Sequence, residues 1–222
     1  MRYHVQGEGG KIGSVFAFFW FATGLAINAS MVAGLYVVEP VYHVWTHRRV
    51  EFDGALFGWL VGAVLVRTAA SPDQTYLSSI NHLRALFVTT LVRATLVLLG
   101  ALAWAPHWGL AGVGAGVFVS EFVASGVIAP WFARRVMASL GFSFAAGTYC
   151  AAVGSTAVAC AAVAAFSLEL PGWRWAGAGA LAVLSAIALW QWRALPEELH
   201  QRLRSLLRRA FSFAWKPANR GA

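Results

Sequence analysis

The chain has 222 residues, of which 59% are AVILMFWYC and only 12% are charged, and its mean hydropathy is +0.63 with a formal net charge of +8. A soluble domain carries about 25% charged residues and about 45–50% apolar ones, so this composition excludes a disordered chain and argues against an ordinary soluble enzyme. The apolar residues fall in long blocks, not in alternating segments of about ten residues, which points away from a transmembrane β-barrel and toward an all-α polytopic membrane protein.

In chain order, the uncharged block from Ile12 to Val38 predicts a first span over 12–38 that ends at Glu39-Pro40. It is too long for a signal-peptide core. A second span, 54–71, carries Arg67 and stops at Pro72. A third, 85–105, carries Arg93 and stops at Pro106, and a fourth, 108–133, carries Glu121. A fifth, 142–168, lies in the uncharged stretch between Val136 and Leu168, and a sixth, 175–192, ends before Arg193. Each approaches the ~20 apolar residues that a bilayer requires, so residues 1–195 are expected to form a six-helix transmembrane bundle. After Pro196 the pattern changes. Leu199, Leu203, Leu206, Leu207 and Phe211 repeat at helical spacing, with Arg202, Arg204, Arg208 and Arg209 between them. Residues 196–222 therefore read as a basic, amphipathic interfacial helix lying on the inner leaflet.

Charge sets the orientation. With six spans both termini share one side, which collects Arg2, Lys11, Arg84, Arg134, Arg135 and seven basic residues from Arg193 onward, 12 of the 17 Lys+Arg. The opposite side has Arg48, Arg49 and Arg174, offset by Glu51, Asp53 and Glu169. The positive-inside rule places both termini in the cytoplasm, and tryptophans at the span ends (Trp45, Trp104, Trp108, Trp131, Trp173, Trp175, Trp192) suit an aromatic belt. Charges so placed meet lipid headgroups, so no nucleic-acid partner is expected.

Cys150 and Cys160 lie about 15 Å apart along one helix and cannot pair with each other. The histidines are scattered; His43 and His47 are four apart, too few for a metal site. No paired carboxylates, HExxH or phosphate-binding glycine loop are present, so no enzyme activity, metal or cofactor is expected. Gly112, Gly116 and Ser120 recur every four residues, which gives the fourth span one small face against which another helix can pack, most simply the third span.

An ionised side chain at membrane depth costs ~2.5–3.5 kcal/mol on insertion scales, which makes Arg67, Arg93 and Glu121 the informative residues. His82, Leu86, Thr89 and Arg93 share a helical face, with Asn81 nearby, and Arg84 stands at the cytoplasmic mouth. An Arg93–Glu121 pair would neutralise two of the charges. The balance stays cationic, and guanidinium groups match phosphate and pyrophosphate geometry. A cation-coupled exporter would instead need cavity carboxylates, for which Glu121 is the candidate. The candidate binding residues are thus Arg67, Arg84, Arg93, Glu121, His82 and Asn81.

The segment from Val44 to Arg135 resembles the C-terminal half of polysaccharide flippases, within the exporter superfamily that includes MATE drug exporters and lipid II flippases. The stretches that carry it are Trp45-Thr-His-Arg-Arg-Val-Glu-Phe-Asp53, Ser78-Ser-Ile-Asn81-His82-Leu-Arg84 and Trp108-Gly109-Leu-Ala-Gly112-Val-Gly-Ala-Gly116-Val-Phe-Val-Ser120-Glu121, in family order. The resemblance implies a transporter of the bacterial inner membrane, with two six-helix bundles about a cavity. It would carry a polyprenyl-pyrophosphate-linked saccharide across the membrane for cell-surface polysaccharide synthesis, without changing a covalent bond. Cavity arginines would hold the pyrophosphate. Family members have twelve or more spans, so the resemblance makes this chain a half-module whose partner is a second six-helix half or another copy of itself. Half of a MATE-type cation-coupled drug exporter and a non-transporting scaffold binding a partner through the basic tail are the alternatives.

Overall fold

The computed structural model describes residues 18–20, 24–141 and 146–194; the expected interfacial helix 196–222 lies outside them. The described residues are helical, with no strand among them. A π-helical turn, Gly24–Asn28, leads into α1 (Ala29–Gly34), followed by α2 (Val38–Trp45), α3 (Gly54–Ala69), α4 (Ser71–Ser79) and the long α5 (Leu83–Glu121). A second π segment, Phe122–Ile128, joins α5 to α6 (Ala129–Ser139), and α7 (Ala146–Ser167) and α8 (Trp173–Ala194) complete the order.

Local chemistry sets these limits. The Asp53 side chain accepts from Leu56 N at 2.9 Å and caps α3. Pro72 falls in the first turn of α4, where its missing N–H costs nothing. Glu39 and Pro40 open α2; they do not close the span before it, because an acidic residue and a proline both suit a first helical turn. Pro130 lacks an N–H and crowds the carbonyl four residues back, and the wide π turns lie directly before it. The helix then runs through Arg134 and Arg135 to Ser139, so these arginines sit on a helix, not in the expected loop.

The third and fourth expected spans meet in α5. Pro106 does not end the helix; the break is at Gly109, with φ 57 and ψ −135, a conformation open to glycine. The two limbs turn back on each other. A Cβ on Gly100 would lie 2.7 Å from the Gly116 Cα, and one on Gly112 would collide with the Trp104 carbonyl oxygen. The small face of the fourth span therefore packs backbone to backbone on the third, as its spacing predicts.

Two apolar clusters hold the bundle. One joins Val32, Leu35, Val61, Leu65, Val163, Phe166 and Leu184 from α1, α3, α7 and α8. The other joins Trp20, Tyr76, Leu77, Ala85, Met137 and Ala152 across α4, α5, α6 and α7. Outside them large apolar side chains stay exposed, including Leu83, Phe87, Leu91, Leu98, Leu99 and Leu102 along one limb of α5. Such a surface is costly in water and ordinary in lipid. Among the described residues three stretches are long and apolar enough to cross a membrane: Leu83–Ser139, Ala146–Ser167 and Trp173–Arg193. α3 and α4, bent by 47° at their junction, make a fourth if they count together. The sequence predicts six; the first block lies partly outside the described residues, and the third and fourth fall within Leu83–Ser139.

Candidate functional site

Three of the six candidate residues meet in one network. Glu121 closes the second limb of α5, Arg93 comes from the first limb, and Arg67 stands in the last turn of α3. Arg93 Nε lies 2.9 Å from Glu121 Oε1, and Arg67 Nη1 lies 3.8 Å from the same oxygen. The Ser125 hydroxyl donates to Glu121 Oε2 at 2.6 Å and accepts from Arg93 Nη2 at 2.9 Å. Gln74 Nε2, on α4, also donates to Ser125 at 2.9 Å. The Glu121 side chain is 7% exposed and that of Arg93 22%, whereas Arg67 is 61% exposed and free along most of its length. With two guanidinium groups on one carboxylate, the network carries a net positive charge.

Ser125 lies four residues after Glu121, one helical turn on, and so meets it on the same face. It also lines a cavity of about 440 Å³. Most of that lining is apolar, including Val66, Phe118, Phe122, Pro130 and Val153. Its polar members are Ser125, Thr156, Tyr149 and Asp73. Asp73 is fully buried, and neither of its carboxylate oxygens has a hydrogen-bond partner. Arg134, stacked 4.1 Å over the Tyr149 ring, acts on it through space. Across the bundle, Asn28 Nδ2 donates to Ser155 at 3.1 Å and to Thr156 at 3.4 Å, tying the start of α1 to the same stretch of α7.

The other three candidates lie elsewhere. His82 caps α5, its Nδ1 accepting from Ala85 N at 3.2 Å. Asn81 precedes it, exposed, with φ 55 in a left-handed turn. Arg84 shares a cleft with His82 and α6 and makes no ion pair with the Glu121 network. Thr89, one turn before Arg93 on the expected polar stripe, is spent on the Ala85 carbonyl at 2.6 Å.

Asp73 and Gln74 escaped the sequence reading. They follow Pro72 in a run of polar residues that reads as a loop, and it is the packing of α6 and α7 around α4 that buries Asp73 and half-buries Gln74. No cluster of three or more metal-ligating side chains occurs among the described residues; His43 lies 3.7 Å from Glu39, while His47 leaves the helix at φ 50. No protein family matches the chain, and neither does any curated protein or solved structure.

Proposed function

We propose that the chain is one half of a flippase-type transporter, a six-span module that takes an amphiphile with an anionic headgroup, of the polyprenyl-pyrophosphate-linked saccharide kind, across a bacterial inner membrane. The observation that carries the reading is the wall shared by a cationic network and an apolar cavity. Ser125 belongs to both. A headgroup phosphate at Arg67 would find a guanidinium held at its tip by one long ion pair, and the adjoining prenyl units would enter the apolar cavity. The saccharide and the remainder of the tail lie outside a single half, which calls for a second six-helix half or a second copy.

Six crossings with both termini in the cytoplasm are part of this proposal. They are supported by the turn at Gly109, which divides Leu83–Ser139 into two limbs, and by the basic residues collected at one end. Reporter fusions after Arg49, Arg84, Pro106, Arg135, Gly172 and Lys216 check it. Periplasmic activity at Lys216 would reject the topology.

Binding is tested on the purified full chain with a photoreactive polyprenyl pyrophosphate. Arg67→Gln is expected to lower capture by about tenfold, the effect of one lost charge-assisted contact of ~1.5 kcal/mol, and the uncharged polyprenol to compete poorly. Equal capture of both lipids by the wild-type chain would overturn the anionic-headgroup reading.

One observation favours a second reading. The sequence offers Glu121 as the carboxylate for cation coupling, and the structure adds Asp73, buried without a donor on the wall of the same cavity. A cation-coupled exporter half would use it. Substrate capture lost in Asp73→Asn and retained in Arg67→Gln would favour that reading over the first.

A further inference from the structure

The end of the bundle where α5 begins carries a second cationic site, apart from the Glu121 network. His82 spends Nδ1 as an acceptor for the Ala85 N–H, so in the neutral ring the proton sits on Nε2, which is left as a donor. Arg84 follows two residues later and is exposed. α6 brings Trp131, Phe132, Arg135, Val136 and Ser139 to the same cleft, of about 450 Å³. The Arg135 guanidinium lies 5.5 Å from the Trp131 ring centroid, and the Trp131 and Phe132 rings meet edge to face at 4.8 Å.

Two properties single the cleft out. The first is charge: two guanidinium groups line it and no carboxylate does, and among the described residues neither Arg84 nor Arg135 forms an ion pair. Arg134 faces elsewhere, over Tyr149. The second is its mixed wall. Guanidinium and imidazole donors stand beside an indole, a phenyl ring and a valine, between the start of the apolar α5 and the amphipathic α6. A soluble phosphate has no use for the apolar part. A phospholipid uses both, with its phosphate on the arginines and the start of its acyl chains on the rings. Basic recesses between membrane helices on the cytoplasmic side hold anionic headgroups in this way, and interfacial tryptophan belongs at that depth.

We propose that the cleft between the start of α5 and α6 binds the phosphate headgroup of an anionic phospholipid of the surrounding leaflet. Each arginine can fork onto phosphate oxygens, and the His82 Nε2–H adds a third donor. The site requires the chain to sit in a membrane; it does not require transport, and it holds whichever substrate reading is correct.

The test is lipid retention by the full chain, measured by native mass spectrometry after extraction from bilayers with equal amounts of phosphatidylglycerol and phosphatidylcholine. The wild-type chain is expected to keep phosphatidylglycerol in preference. The Arg84→Gln/Arg135→Gln variant is expected to lose that preference by at least about tenfold, from two charges near the surface. Arg48→Gln/Arg49→Gln, in the loop before α3, is expected to keep it. Unchanged retention in the first variant, or equal loss in the second, would overturn the proposal. Displacement of phosphatidylglycerol by millimolar inorganic phosphate would assign the cleft to a soluble anion and overturn it too. Should the double variant fail to fold, Ser139→Asp brings a carboxylate to the cleft with both arginines in place. It is expected to abolish the preference, and retention at the wild-type level would count against the site.

Discussion

Glu121 and Asp73 are both carboxylates buried inside the bundle, on α5 and α4, and they are treated in opposite ways. Glu121 is surrounded: Arg93 and Arg67 lie on one oxygen and the Ser125 hydroxyl on the other. Asp73 is more deeply buried and receives no hydrogen bond. An ionised carboxylate in an apolar surrounding is tolerable only when donors and counter-charge compensate it. Glu121 meets that requirement within the chain and therefore reads as structure, with Arg67 as the part left over for a ligand. Asp73 meets it only in part: Arg134 acts on it through space, but among the described residues no donor reaches either oxygen, which makes its cavity the place where a donor has still to be supplied.

Five substitutions probe this contrast. Glu121→Gln leaves two arginines facing one neutral amide and should cost about 3 kcal/mol, as breaking a buried pair does; thermal unfolding in detergent measures it. Pairing it with Arg93→Gln should recover part of the loss, and strict additivity of the two would deny that they form one unit. Arg93→Lys comes next, at about 1–2 kcal/mol, because an ammonium can reach Glu121 but cannot hold Ser125 with the same fork. Asp73→Asn should move stability the other way, by about +1 kcal/mol, since it removes a buried charge that has no donors. A fall as large as that of Glu121→Gln would mean that the two carboxylates are equally well held and would dissolve the contrast. Smallest is Arg67→Gln, below about 0.5 kcal/mol in melting, because its ion pair is long and mostly exposed. Its effect belongs to anion binding instead.

Much of the site was legible in the residues because its members are rare at membrane depth. Arg67, Arg93 and Glu121 stand alone in long apolar blocks, so the Arg93–Glu121 pair could be anticipated from the cost of leaving the two apart, while the approach of Arg67 to the same oxygen comes from the packing of α3 on α5. The Gly112/Gly116 face was legible for a similar reason: period-four small residues have one use in a membrane helix. Asp73 was not, since a carboxylate in a polar run after proline carries no local sign of burial, which comes from α6 and α7 packing over it. Arg84 was legible only as a basic residue at the mouth of its span; that it shares a cleft with Trp131, Phe132 and Arg135 comes from the packing of α6 beside the start of α5. The π segment was hidden as well. Pro130 announces a disturbance, but not that the wide turns would run over the whole of Phe122–Ile128.

The turn at Gly109 bears on how the protein is made. Arg93 and Glu121 sit on opposite limbs of the hairpin, so under the proposed six-span topology a nascent chain that has delivered only the first limb to the bilayer would hold an arginine with no counter-charge, at a cost of ~2.5–3.5 kcal/mol on insertion scales. The second limb relieves that cost as soon as it arrives, and the glycines on its face let it dock without rearrangement. Insertion of the two limbs as one hairpin is therefore favoured over insertion one by one. A ribosome-bound intermediate long enough to expose Ser125 should resist extraction from the membrane far better than one that stops after Ala115.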